Sequence, residues 1–185
     1  MFMLVLPVSD QIILQVPGQE AAAETAALVR RNLEHLQAWM PWAVDDYSTE
    51  HAAEWIATVG SVDGESSAIG FLVRENNVMI GTVGVHDIDR VNRHAKIGYW
   101  IDRDHEGRGI VTMSCRSLLG YLFDTMELDR VQINCNVDNS RSRAIPEKLG
   151  FSYEGTLREV ELLRGELRDQ VVYSLLKREW LANKI

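Results

Sequence analysis

The period of apolar and polar positions changes repeatedly along the chain, and each change marks an element. Met3 to Pro7 and Gln11 to Gln15 read as two short strands turning at Ser9-Asp10, with Pro7 confining the first to an edge or a strand end. Pro17-Gly18 then breaks the chain. From about Glu20 to Leu36, Ala22, Leu28 and Leu36 alternate with Glu24, Arg30, Arg31 and Glu34, which predicts one helix with a buried and a solvated face. Thr49-Glu50 opens a second helix to about Val59, with Ala52, Trp55, Ile56 and Val59 on one side. A Gly/Ser/Asp-rich loop, Gly60 to Ser66, precedes three strands: Ala68 to Arg74, Val78 to Asp87 and Ala95 to Ile101. Asn76-Asn77 is a hairpin turn and Arg90 to Arg93 a second short connection, so the three form an antiparallel meander.

Apolar residues at 111, 115, 118, 119, 122, 123 and 126 then make a helical stripe that starts near Gly109. Arg130 to Val137 alternates strictly, with Val131, Ile133, Cys135 and Val137 on one face. Cys115 and Cys135 both fall on buried faces and read as core residues. Asp138-Asn-Ser caps a short helix, Arg141 to Leu149, closed by Gly150. Two long strands, Phe151 to Leu163 and Glu166 to Leu176, turn at Arg164-Gly165, and Lys177 to Ile185 is a short amphipathic tail. With no repeat, low-complexity tract or linker, residues 1–185 are expected to form one domain.

Composition narrows the function classes. An apolar fraction of 46% and a charged fraction of 25% over 185 residues describe a soluble protein able to build a core without metal or disulfide support, so no metal site is expected. A net charge of −8 argues against a nucleic-acid surface, which needs a basic stripe. No stretch approaches a membrane span, and MFMLVLPVSD lacks the basic n-region of a secretion signal. Two cysteines fit a reducing compartment. The expectation is a cytoplasmic protein with no membrane partner.

The most informative chemistry lies in Gly107-Arg108-Gly109. Two glycines can take positive φ, turn successive amides inward and join them to the free N–H groups of a helix start, which makes an anion cradle. A Walker loop is excluded, because Ile110 follows Gly109 where Lys-Ser/Thr is required. The dinucleotide fingerprint fits poorly. Thr112 stands at its third glycine, Asp102 to Glu106 separate the glycines from the strand, and the preceding strands look antiparallel. An acyl-CoA cradle remains, following a meander and preceding a helix.

At that point the chain resembles the GNAT N-acetyltransferase superfamily, and within it the Rim-type group of ribosomal-protein serine N-acetyltransferases. The resemblance covers nearly the whole chain. It is carried by Leu36-Gln-Ala-Trp-Met-Pro-Trp, Ile97-Gly-Tyr-Trp-Ile, Glu106-Gly-Arg-Gly-Ile, and Asn139-Ser-Arg-Ser-Arg-Ala through Lys148-Leu-Gly-Phe, with Glu154-Gly155 behind. It implies an α+β layered fold: a mixed, mainly antiparallel sheet with helices on both faces, and two central parallel strands, Ala95–Ile101 and Arg130–Val137, splayed around acetyl-CoA. A bulge near Ile97-Gly98 would turn backbone groups toward the pantetheine arm, with Tyr99 and Trp100 on the same run and Asn139 bonding that arm. The diphosphate would lie on His105, Glu106, Gly107, Arg108, Gly109, Ile110 and Val111, with His105 holding the loop and Arg108 reading equally as a phosphate contact or an exposed loop arginine. Asn139 also reads as a plain helix N-cap.

Acetyl transfer needs a neutral amine, a site for developing negative charge and a proton for the leaving thiolate. The superfamily's usual tyrosine acid would fall at Pro146, so the resemblance implies Ser142 as the acid, in a position that also suits a first-turn cap. It implies Glu161 as base or amine-steering group, although with Glu154, Glu159 and Glu166 nearby it also reads as a solvated strand residue. His86, at the end of its strand, is the residues' own reserve base, and a lone histidine more often serves as a hydrogen-bonded structural residue. Trp39 and Trp42, in a loop around a proline, line the acceptor site or pack as a lid. Lys96 departs from the acidic residue common before Ile-Gly-Tyr-Trp and reverses local charge, and Asp104 departs from the cradle's usual Gln or Arg. The implied acceptor is a protein N-terminal α-amine. A small amine (polyamine, amino acid or antibiotic) and a non-catalytic CoA-binding sensor or interaction module remain the alternatives. A homodimer is a further implication of the resemblance.

Overall fold

Two hydroxyl-capped strands begin the sheet. In this computed structural model, which describes residues 4–59 and 66–182, β1 (Val5–Pro7) pairs antiparallel with β2 (Ile12–Gln15). The Ser9 hydroxyl closes their turn by accepting the Gln11 and Ile12 amides. Gly60 to Glu65 of the expected loop lies outside the described residues.

The long helix expected from Glu20 to Leu36 is broken. A 3-10 turn (Gln19–Ala21) leads into α1 (Ala22–Arg31), and α2 (Leu33–Gln37) follows after Asn32. Asn32 sits at φ −106 and ψ 13, donates from its side chain to the Leu28 carbonyl at 3.0 Å, and accepts the distant Arg103 amide at 2.9 Å. An asparagine whose side chain serves the Leu28 carbonyl and a remote amide competes with the helix, and the helix yields. The third helix, α3 (Thr49–Val59), has the predicted limits.

The meander is β3 (Ile69–Glu75), β4 (Val78–Asp89) and β5 (His94–Ile101). Asn76 and Asn77 both take positive φ (49 and 69), as the tight hairpin requires. Then come α4 (Ile110–Gly120), a π-helical turn Tyr121–Thr125, β6 (Arg130–Asn136), α5 (Ser140–Leu149), β7 (Ser152–Leu163), β8 (Glu166–Leu176) and α6 (Lys177–Ala182). The strands form one sheet in the order β1-β2-β3-β4-β5-β6-β8-β7, with β5–β6 its parallel pair. Alternation along β3 serves both faces. Phe71 and Val73 pack with Cys115, Leu118, Leu119 and Leu122, whereas Leu72 packs with Ala26, Val29, Ala52 and Ile56. Helices therefore cover both sides of the sheet. No helix among the described residues is long and apolar enough to cross a membrane.

Parallel pairing runs from His94 opposite Arg130 to Ile97 opposite Ile133 and stops there. Strand β5 continues to Ile101 on β4, and β6 continues to Asn136 on β8, so the two part and leave facing edges without a cross-strand partner. The bulge expected at Ile97-Gly98 is absent. The β4–β5 register is unbroken from Gly81 opposite Ile101 to His86 opposite Lys96, and the extra residue lies on β4, where Asp87 takes φ 51. The β5 edge is thus opened by the departure of β6, not by a kink of its own.

Arg130, at the base of this wedge, grips both oxygens of Glu154 on β7, and Ser174 donates to the same carboxylate at 2.7 Å. The Arg130 guanidinium holds the Glu154 carboxyl down to about 2 from its ordinary 4.5. A depressed acid stabilises the fold above its unfolded pKa, and that contribution disappears as pH falls toward 2. Arg130→Met should therefore cost about 1 kcal/mol at pH 7, a value limited by solvent screening, and almost nothing at pH 2. Urea unfolding at the two pH values checks this.

Candidate active site

Chain exit from β5 sets up the cradle. Asp102, only 1% exposed, donates its amide to the Ile80 carbonyl at 2.7 Å, while its carboxylate takes Arg31 and, at 3.1 Å, His105 Nδ1. Burial alone would raise the Asp102 carboxyl. Hydrogen bonds from Asn32 and Arg31 outweigh burial and leave it below its usual range. A 3-10 turn, Arg103–His105, then delivers Gly107 and Gly109 at φ 73 and 75. The Met113 amide reaches the Gly109 carbonyl at 3.0 Å, so the amides of Ile110, Val111 and Thr112 precede the first intrahelical bond. A Cβ added at Gly107 or Gly109 meets nothing within 4 Å. Open space, forward-pointing amides and the helix dipole together suit a phosphate.

Side chains of this loop brace it. Glu106 binds Arg141 and His35 Nε2, the latter at 3.0 Å. Arg108 meets both Glu75 oxygens, at 3.0 and 2.6 Å, because the end of β3 brings that carboxylate alongside. His105 Nε2 lies 3.7 Å from the same carboxylate. Ile110 is buried in the core and Val111 packs against it, so both can serve an anion through their amides alone.

Between β5 and β6 the wedge opens into a cavity of about 650 Å³. Ile97, Gly98, Tyr99 and Trp100 line one side; Asn134, Cys135 and Asn136 line the other, with Asn139 and Ser142 from α5. Trp39 to Trp42, Tyr47 and His51 form an aromatic wall, and Glu161, His86 and Lys96 also reach the space. Trp42 stacks at a tilt on Trp100, with centroids 6.3 Å apart, and is 41% exposed, so the wall extends to the rim. Gly98 has modest steric significance: an added Cβ would touch only the His86 ring, at 3.6 Å.

Ser142 is held on all sides. Its amide donates to the Asn139 N-cap at 3.0 Å, and its carbonyl accepts the Tyr99 phenol at 3.0 Å. Its hydroxyl lies 3.2 Å from both the Tyr99 oxygen and Cys135 Sγ. Burial pushes the Cys135 thiol and, to a larger degree, the Tyr99 phenol upward, so both remain protonated. Of the four glutamates near β7, Glu154 is consumed by Arg130, while Glu159 and Glu166 are exposed. Glu161 alone of the four lines the cavity, after a bulge in which Glu159 takes φ 52 and donates its amide to Asp169. Lys96 does not leave a bare positive charge. Asp87, on the β4 bulge, pairs with it at 3.0 Å, and that hydrogen bond lowers the Asp87 carboxyl.

The cavity therefore gathers Trp39, Trp42, His86, Ile97, Gly98, Tyr99, Trp100, Asn139, Ser142 and Glu161, while the 105–111 residues form the adjoining cradle. Sequence reading missed two contacts of Ser142. Cys135 read as core and Tyr99 as a cofactor contact only. Their signal was present: with Ile97 opposite Ile133, alternation places Tyr99 and Cys135 facing each other one step past the last pair.

A splayed parallel pair, an amide cradle and a cavity lined by both a serine hydroxyl and a carboxylate describe an acyl-transfer cleft. The acetyltransferase (GNAT) domain family matches residues 11–152, and the chain belongs to that family. It is 35% identical to the provisionally named ribosomal N-acetyltransferase YdaF of Bacillus subtilis (strain 168), over 98% of this chain and 100% of that protein. The structure superposes on RimL, a ribosomal L7/L12 alpha-N-protein acetyltransferase in complex with coenzyme A, with TM-score 0.89 and 26% identity over 94% and 98% of the two chains. It superposes likewise on the microcin C7 self-immunity acetyltransferase MccE bound to acetyl-CoA and AMP, with TM-score 0.86 and 30% identity over 91% and 94%.

The Asn32 side chain ties α1 to the cradle loop, so Asn32→Ala should destabilise the fold by about 1 kcal/mol by removing its part-buried bond to the Arg103 amide. Faster hydrogen exchange confined to Arg103–Gly109 beyond this global loss is the accompanying expectation.

Proposed function

We propose that the chain transfers the acetyl group of acetyl-CoA to a primary amine, and that its acceptor is a protein N-terminal α-amine of the ribosomal-protein type. One observation carries this reading: Ser142 and Glu161 line one cavity beside the open β5–β6 wedge, and the glycine cradle follows directly from the end of β5. The residues fit the cofactor, with open cradle amides for its diphosphate and unpaired strand edges for the amides of its pantetheine arm. Acetyl-CoA, when bound, supplies an activated acetyl thioester.

Glu161 attracts an ammonium and accepts its proton. A peptide α-amine, with a pKa of about 7.7–8.0, needs little help in losing that proton, so holding it beside the thioester does most of the work. Ser142 gives its hydroxyl proton to sulfur as the carbon–sulfur bond breaks. The nitrogen sheds a second proton to the serine oxygen as the carbon–nitrogen bond forms, and Glu161 releases the proton it took from the ammonium to solvent, which balances the transfer.

The wall supports an acceptor with one cationic centre. Glu161 is the sole carboxylate lining the cavity among the described residues, whereas a polyamine would present several ammonium groups to it. The open rim at Trp42 leaves room for a peptide to continue outward. A small amine bearing a flat apolar group is the second reading, favoured by the Trp42–Trp100 pair and the stacked Tyr47–His51 rings. A ribosomal acceptor would place the reaction in the cytoplasm, which also keeps Cys115 and Cys135 as free thiols.

Thiol release from acetyl-CoA with N-terminal peptides, spermidine and aromatic amines tests these readings; tight cofactor binding with no amine-dependent release would overturn them in favour of a sensor. Ser142→Ala should lower kcat by about 100-fold while calorimetry finds acetyl-CoA affinity nearly unchanged. Gly107→Val should abolish that affinity, since its side chain enters the cradle and strains a φ of 73.

A further inference from the structure

Helix α5 carries Pro146 in its interior. Proline has no N–H, so the Ser142 carbonyl one turn earlier lacks its helical donor, and the ring crowds that carbonyl outward. The Tyr99 phenol from β5 takes the vacant place, donating to the Ser142 carbonyl at 3.0 Å. A phenol has a single proton. With that proton spent on a carbonyl, the Tyr99 oxygen meets the Ser142 hydroxyl, 3.2 Å away, as an acceptor. The competing neighbour, Cys135 Sγ at 3.2 Å, is a weak acceptor. Ser142 is thereby fixed at its amide, carbonyl and hydroxyl, and only the hydroxyl proton can be redirected.

We propose that Tyr99 is a positioning residue for Ser142: its phenol replaces the N–H that Pro146 lacks and, through the same oxygen, holds the Ser142 hydroxyl at the mouth of the wedge. This rests on the reading of Ser142 as the proton donor. A developing thiolate is a charged acceptor and draws the serine proton away from the neutral phenol oxygen. Tyr99 keeps its own proton throughout. Proline and tyrosine form a matched pair: the residue that displaces a phenol from α5 also creates the carbonyl that seats one from β5.

The matched pair can be tested without any ligand. Tyr99→Phe should shift the unfolding equilibrium of the free protein roughly tenfold toward the unfolded state, by stranding the Ser142 carbonyl. In a Pro146→Ala background, where the alanine backbone supplies the missing N–H, the same change should cost far less. Equal costs in both backgrounds would overturn the pairing.

Turnover separates bracing from positioning. Tyr99→Phe should lower kcat about tenfold with the acetyl-CoA KM nearly unchanged, and Pro146→Ala should restore stability but not kcat, because the hydroxyl still lacks its holder. Recovery of kcat in that double variant would reduce Tyr99 to a helix brace and overturn the proposal. In a Ser142→Ala background Tyr99→Phe should add no further loss, and an added loss would mean that the phenol acts on the reacting atoms itself. Full activity of Tyr99→Phe beside an impaired Ser142→Ala would sink this proposal and leave the acid reading standing. Full activity of Ser142→Ala would sink the acid reading first.

Discussion

Parallel strands stay joined only while their slanted hydrogen bonds stay in register, and β5 and β6 keep that register from His94–Arg130 to Ile97–Ile133. Beyond it each strand follows its antiparallel neighbour, β5 with β4 and β6 with β8. The polar edges left behind would be costly in a closed core, but here they border a cavity. The rest of the site depends on that parting. It aims β5 at the cradle, brings α5 over the gap and leaves space in which an acyl group can meet an amine.

Much of the fold was legible because strands and helices in this chain differ sharply in apolar period. The strict alternation of Arg130 to Asn136 and the stripe along α4 needed no tertiary information. The break at Asn32 was hidden, because its cause is an amide at Arg103, far along the chain. The misplaced bulge has a similar origin. Gly98 made a kink in β5 plausible, yet an open edge needs no kink when the neighbouring strand leaves, and only the pairing register reveals that.

The site was legible in its cast and less so in its contacts. Glycines at Gly107 and Gly109 announce themselves, since positive φ narrows the choice of residue. Arg108 did not, because an arginine's reach admits several partners and Glu75 approaches from another strand. Glu161 could not be told from Glu154, Glu159 and Glu166 by sequence spacing. What distinguishes it is a bulge in β7 and an arginine, Arg130, that occupies its neighbour. Cys135 shows that a buried core residue can also border the cavity, as its thiol is shielded from solvent yet touches the Ser142 hydroxyl that lines it.

The bond from Asn32 to Arg103 has a further meaning for how such a protein can diversify. It anchors the chain just where the aromatic wall of the cavity departs, and α3 anchors the far end at Thr49. Leu36, Ala43 and Tyr47 of the intervening segment pack into the core, and Arg164 Nε on the Gln37 carbonyl adds a tie from the β7–β8 turn. A change of sequence in this segment would reshape that aromatic wall of the cavity, while the parting of β5 and β6, set by strand register alone, would stay as it is.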